Sequence, residues 1–274
     1  MGSWTNGPVR PFVFFGLEKM SILDALILGI VQGVLEWLPI SSSGHLVVFR
    51  ELFGLEGSVS YDIFLHFSAI FVIIVFFNRE LSAVVRALFS FKRDSYEFRL
   101  AVYILYATVV TCVVGLLLSP HISGLASLKV VRFTFLVTSL LLFLSRRGGS
   151  GRITLKTAIF TGLFQAMALF PGISRSGATI SAARIAGAGR EDAFRFSFLM
   201  ALPAMAGAVI LEIGEFRAMA PGILVTGFFT SLLLGLASLY LLRRILIRGR
   251  FHLFGYYTLA LSLLLFIVDI ARSL

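Results

Sequence analysis

Within fourteen residues, Gln32 to His45, this 274-residue chain places an amide, a carboxylate, three consecutive serines and an imidazole, in the run QGVLEWLPISSSGH. Gln32 and Glu36 are four residues apart, so on a helix they share one face and can address one ligand together. A carboxylate beside an amide oxygen suits a hard divalent cation, Mg²⁺ or Ca²⁺, which keeps several waters and also binds phosphate oxygens. The plainer alternative is an amphipathic helix with a satisfied polar face, but Glu36 lies deep in apolar sequence. Ser41, Ser42 and Ser43 precede a new helix start, where one serine suffices as a cap. The other hydroxyls, with Gly44 opening the turn, are left for a ligand. A helix N-terminus also offers unpaired N–H groups and about half a positive charge to a phosphate. His45 could activate a hydroxyl or protonate a leaving group near neutral pH.

A second polar run, PGISRSG at Pro171–Gly177, supplies the cation that the first lacks. Arg175, flanked by Ser174 and Ser176, can clamp an anion through two parallel N–H bonds. Thr179 adds a hydroxyl one turn further on. A guanidinium snorkelling to the membrane surface is the bland alternative, and the repeat described below argues against it. Carboxylate, metal, serine, histidine and arginine brought together would make a phosphoryl-transfer site.

The elements that must position these groups are read from the apolar background. The chain is 58% hydrophobic and 14% charged, against about 25% charged in a soluble domain, so it reads as an integral membrane protein. Leu100–Leu118 and Gly222–Leu242 are uncharged runs of 19 and 21 residues, each long enough to cross a hydrocarbon core of about 30 Å. Soluble folds are excluded, and the net charge of +10 does not imply a nucleic-acid partner. Loops 79–99, 146–156, 184–195 and 243–250 hold 16 of the 24 lysines and arginines. That is the pattern of cytoplasmic loops in a membrane protein.

Two interrupted segments contain the polar runs. Ile22–Leu38 and His45–Phe53 flank the first, while Thr157–Phe170 and Ala178–Gly187 flank the second. Pieces this short, joined by polar turns, predict re-entrant hairpins buried in protein or lining a cavity. Spans are expected near Asp62–Phe77, Leu100–Leu118, Val130–Leu144, Ala193–Ile213, Gly222–Leu242 and Leu253–Ile270. The halves echo each other: Gln32…Pro39-Ile-Ser-Ser-Ser-Gly44 against Gln165…Pro171-Gly-Ile-Ser-Arg-Ser-Gly177, and Asp62-Ile-Phe against Asp192-Ala-Phe. The expected fold is an all-α polytopic membrane protein of one domain. It is an inverted-topology repeat, about 21–147 and 153–272, with six transmembrane helices plus two re-entrant helical hairpins and both termini outside. That architecture puts the site near mid-membrane between broken helices.

Other residues carry weaker signals. Residues 1–20 read as an N-terminal extension without a signal-peptide cleavage site, and Met20 is an alternative start. Cys112, alone in an apolar run, reads as a packing residue. His66, Arg132 and Arg195 are expected to snorkel or pair within the bundle. Asp62 and Asp192 are expected to cap helices, and Asp269 to sit at the interface.

QGVLEWLP fits an (E/Q)-x-x-x-E pattern, SSSGH a serine–glycine–histidine signature, and PGISRSGAT the signature P-G-x-S-R-S-x-x-T. On these motifs, from about Ser21 to the C-terminus, the chain resembles the bacitracin-resistance (BacA/UppP) family of undecaprenyl-diphosphate phosphatases. The resemblance implies hydrolysis of undecaprenyl diphosphate to undecaprenyl phosphate and inorganic phosphate, recycling the lipid carrier for peptidoglycan and conferring bacitracin resistance. It also implies a divalent metal and a site in the bacterial plasma (inner) membrane that opens to the outer face. By matching position it assigns function to Gln32, Glu36, Ser42, His45, Ser174, Arg175 and Thr179. Glu36, Ser42, His45 and Arg175 are then the catalytic candidates and Gln32 with Glu36 the metal candidates. Ser41, Ser43, Gly44, Ser174, Arg175, Ser176 and Thr179 are the substrate-binding candidates. The polyprenyl lipid and surrounding membrane lipid are the expected partners, and a homodimer is left open.

This sequence has Gln at the first motif position, removing one metal-binding charge, and FLHFSAI after Asp62 where many members have Gln-Leu-Gly or His-Leu-Gly. The type-2 phosphatidic acid phosphatases also carry an S-G-H element but require a histidine after the later S-R, and none lies between His121 and His252. A lipid transporter or flippase remains the rival, because broken helices in inverted repeats are typical of transporters.

Overall fold

Polar breaks cut the apolar sequence into helices whose ends are satisfied locally. The structure, a computed structural model, describes residues 20–53, 59–122, 125–212 and 219–273. The N-terminal extension, apart from Met20, lies outside the described residues. Helix α1 (Ile22–Leu35) opens with a capping box, in which the Ser21 hydroxyl accepts from the Asp24 N–H at 3.1 Å and the Asp24 carboxylate accepts from the Ser21 N–H at 2.9 Å. After the first break comes α2 (Ser42–Phe53), then α3 (Val59–Phe76), α4 (Asn78–Phe89), α5 (Tyr96–Ile122) and α6 (Leu128–Leu144). The second half runs α7 (Leu155–Met167), α8 (Arg175–Ile185), α9 (Arg190–Glu212), α10 (Pro221–Ile247) and α11 (Leu253–Ser273).

Helices α5, α6, α9, α10 and α11 are each long and apolar enough to cross a membrane. The pair α3 and α4 makes a sixth span if taken together, although the two are bent by 81°. The chain is therefore an all-helical, multi-pass membrane protein. Helix α4 was not expected, since residues 79–99 read as a charged loop. It is amphipathic instead, burying Val84 and Ala87 while exposing Val85, Leu88 and Phe89.

The short helices pack crosswise between the halves: α1 lies on α10, and α7 lies on α5. Both seams are made by small residues that let backbones approach. A side chain at Gly29 would meet the Gly227 carbonyl at 3.1 Å, and one at Gly162 would meet the Ala107 carbonyl at 2.6 Å. Helix α3 packs on α9 and α10, and α6 on α11. Trp37, Phe77, Phe194 and Phe198 fill the core beside the breaks, with Trp37 and Phe198 ring centroids 5.5 Å apart.

Several smaller expectations change. Cys112 is exposed on α5, facing where lipid would be, rather than packed. Asp62 and Asp192 lie inside the first turns of α3 and α9, where they favour the helix dipole without acting as caps. Arg132 pairs with Asp269 between α6 and α11, its guanidinium 4.7 Å from the Phe266 ring centroid, so Asp269 is a bundle partner. Arg195 pairs with Glu80 at 3.7 Å, tying α9 to α4.

Candidate active site

The first break is shaped by Ser41. Helix α1 stops before Pro39, and Ser41 takes φ +67°, a left-handed conformation uncommon for a residue with a side chain. Its hydroxyl accepts from the Gly44 N–H at 3.2 Å, capping α2, and lies 3.2 Å from the Ser43 hydroxyl. Capping is thus done by Ser41, which turns Ser42 towards Glu36. Ser42 donates to Glu36 Oε2 at 3.0 Å, and Gln32 Nε2 donates to the same oxygen at 3.2 Å. The i, i+4 pair of Gln32 and Glu36 does converge, but on each other.

The second break delivers the cation to that carboxylate. Arg175, first residue of α8, donates from Nη2 to Glu36 Oε1 at 2.7 Å, and its Nη1 is buried without a partner. Ser174 caps α8, accepting from the Gly177 N–H at 3.1 Å, while its own N–H donates to Thr138 at 3.2 Å. Thr138 and Thr134 of α6 donate to the Gly172 and Pro171 carbonyls at 2.8 and 2.5 Å, so α6 fixes this turn. Gly172 has φ +94°. A Cβ at Gly44 would sit 2.7 Å from Gly172 Cα, so the two breaks touch backbone to backbone. Only glycine allows that approach.

A cavity of about 480 Å³ opens at this junction. Gln32, Glu36, Ser41, Ser42, Ser43, Ser174 and Arg175 lie on its wall, and Leu35, Leu46, Val47, Leu169 and Met205 make much of the rest apolar. Gly44, His45, Ser176 and Thr179 are not on the wall. Ser176 and Thr179 are buried behind it, Thr179 donating to the Arg175 carbonyl at 2.8 Å and sharing a 2.5 Å contact with Ser197. His45 is turned away from Ser42, with Nδ1 on the Ser41 carbonyl at 2.8 Å and Nε2 on the Tyr257 hydroxyl at 2.7 Å.

The motifs on this wall extend to a sequence match over nearly the whole chain. Residues 25–264 match the family model of the bacitracin resistance protein BacA. The chain belongs to this family. Curated relatives named undecaprenyl-diphosphatase include one from Korarchaeum cryptofilum, 40% identical over 251 residues, covering 87% of this chain and 95% of the relative. Another, from Thermosipho africanus, is 37% identical and covers 90% and 100% respectively. One from Methanococcus maripaludis is 38% identical and covers 88% and 97%.

Four further polar residues of this BacA-family chain line the cavity without belonging to its sequence motifs: Asp62, His66, Thr111 and Gln165. His66 Nδ1 bonds the Asp62 carbonyl at 2.8 Å, and its Nε2 lies 3.6 Å from Glu36 Oε2. Gln165 is buried, its Nε2 3.4 Å from the Thr111 hydroxyl and its Oε1 unpartnered. Gln165 had a signal, since it repeats Gln32. The donor set limits a metal. Among the described residues no three His, Cys, Asp or Glu side chains cluster as a cage, and both Glu36 oxygens already accept. What fits is a hard cation on one carboxylate that takes its remaining ligands from water and a phosphorylated substrate.

Proposed function

We propose that this protein hydrolyses undecaprenyl diphosphate to undecaprenyl phosphate and inorganic phosphate at the plasma membrane. The observation that carries the reading is Glu36 held between Arg175 and Ser42 on one cavity wall. A structural ion pair has no need of a hydroxyl on the same carboxylate, or of a cavity beside it. Arg175 lies on the cavity wall with an Nη1 that has no partner and would turn to a phosphate oxygen, and the apolar wall suits the first units of a prenyl chain. The names of the relatives support the same chemistry.

In this mechanism Arg175 holds the terminal phosphate. Ser42 Oγ bonds its phosphorus as the bond to the bridging oxygen breaks, and the electron pair leaves with undecaprenyl phosphate. The Ser42 proton passes to Glu36 Oε2, which it already contacts. Water then bonds the phosphorus as the bond to Ser42 Oγ breaks, Glu36 returns its proton to Oγ, and the water's protons leave with the phosphate and to solvent. Mg²⁺ or Ca²⁺, held by Glu36 and Gln32 together with diphosphate oxygens, would screen the charge of the transferring group.

The site opens to the outer face in this reading, and recycled carrier serves envelope polysaccharide synthesis. Competition for the same lipid would underlie bacitracin resistance. The test is phosphate release by purified protein from lipid diphosphate with a divalent metal. Glu36→Ala and Arg175→Ala should each abolish it, as should chelation of the metal, and Ser42→Ala should leave no trappable phosphoserine. Near-normal turnover in Ser42→Ala would reject the nucleophile. A lipid transporter is the second reading, favoured by the exchange of packing partners, α1 on α10 and α7 on α5, that an inverted repeat would produce. Binding of the lipid without release of phosphate would select it.

A further inference from the structure

His45 is a catalytic candidate of the sequence motifs that the mechanism above leaves unused, and its surroundings say what it does. Its ring is 6% exposed, stacked on Tyr257 of α11 at 5.8 Å and 5°, with Phe135 of α6 edge-on at 5.4 Å. A carbonyl oxygen only accepts, so the 2.8 Å contact with the Ser41 carbonyl fixes the proton on Nδ1. The neutral ring then presents Nε2 as an acceptor, and the Tyr257 hydroxyl donates to it at 2.7 Å. Both nitrogens are consumed, and neither bonds Ser42.

The carbonyl that His45 grips belongs to Ser41, the left-handed residue on which the turn depends. Residues held in such sparsely populated conformations persist where their surroundings over-determine them. The same carbonyl also accepts from the His45 backbone N–H at 3.2 Å, so one residue fastens the turn twice. Tyr257 in turn satisfies Nε2 and fixes the plane of the ring. Hydrogen-bond partners of this kind orient a histidine by satisfying its second nitrogen.

We propose that Tyr257 is a positioning residue for the phosphatase reaction: through His45 it locks the left-handed turn at Ser41 and thereby holds the Ser42 hydroxyl on Glu36. His45 is then a strut between α11 and the first break, not the base for Ser42. The aromatic rings packed against it are Tyr257 from α11, Phe135 from α6 and Phe49 from its own helix. Tyr257 is 47% exposed on the outside of the bundle, so Tyr257→Phe leaves packing intact and removes only the hydroxyl.

The inference rests on the phosphatase reading for its kinetics, and one measurement is independent of turnover. In ¹⁵N-histidine spectra of the purified protein His45 should be the Nδ1–H tautomer, and Tyr257→Phe should broaden or shift its Nε2 signal. An Nε2–H tautomer, or a spectrum indifferent to Tyr257→Phe, overturns the proposal whether or not phosphate is released. If the wild type releases phosphate, Tyr257→Phe should lower kcat about 10-fold with KM unchanged. His45→Asn, whose amide can still donate to the Ser41 carbonyl, should recover most of the activity that His45→Ala loses. Equal loss in both His45 variants, with a limb missing from the pH–rate profile of His45→Asn, would make His45 an acid–base catalyst and overturn the strut. A wild type that binds lipid diphosphate without releasing phosphate fails the phosphatase reading alone, and the spectra still decide the tautomer.

Discussion

Glu36 is the residue on which everything at the site converges, because its two oxygens do different work. Oε1 neutralises Arg175, and Oε2 collects Gln32 and Ser42. Arg175 is a matter of geometry as much as of charge. Arg175→Lys keeps the charge but loses the planar fork that can bind Glu36 and a phosphate at once. Its kcat/KM should fall about 100-fold, as when one oxyanion donor is removed, with the thermal midpoint in detergent little changed. A variant within about threefold of wild type would show that Arg175 acts only as a point charge. The sequence exposed Glu36, Ser42 and Arg175 because each is a polar group where apolar ones are expected. It hid the fate of His45, whose partner Tyr257 is 212 residues away, and the cavity role of His66, since nothing local distinguishes a lining histidine from a snorkelling one.

Among the elements, the two breaks matter more than the long helices they interrupt. Gly44 lies against Gly172 and against the Phe135 ring, and a Cβ there would come within 2.7 Å of both. Gly44→Ala should therefore push the breaks apart, costing about 1–3 kcal/mol of stability and most of the activity. Thermal unfolding and phosphate release should fall together, and an unaltered midpoint would mean the turns have room to give. The breaks themselves were readable, since Pro39, Pro171 and the serine-rich turns stop helices by their own chemistry. Helix α4 was not. Arg79, Arg86, Lys92 and Arg93 coloured the segment as a loop, and the apolar stripe through Val84 and Ala87 becomes evident only once α3 turns by 81°. The partner of His45 Nε2 was equally out of reach, because it depends on where α11 packs.

At the scale of the molecule, the crosswise packing of α1 on α10 and α7 on α5 makes each half incomplete without the other. Counting the bent pair α3 and α4 as one span gives six crossings, which would put both termini on one side, and the excess of lysine and arginine in loops 79–99, 146–156, 184–195 and 243–250 predicts that the other side is the cytoplasm. A reporter fused after Leu274 should read non-cytoplasmic, and a cytoplasmic signal would reverse the topology. The Glu36–Arg175 contact has a consequence for biogenesis. Its partners are 139 residues apart, so the carboxylate enters the bilayer long before its counter-ion is synthesised. Each alone in hydrocarbon costs about 2.5–3.5 kcal/mol, and the pair discharges both debts only when the second hairpin arrives. Membrane yield of Glu36→Ala and of Arg175→Ala should each drop, while the doubly neutral variant, though inactive, should accumulate better than either. Quantitative blotting of membranes would show it, and a double variant no more abundant than the singles would mean that the translocating chain finds other ways to shelter its charges.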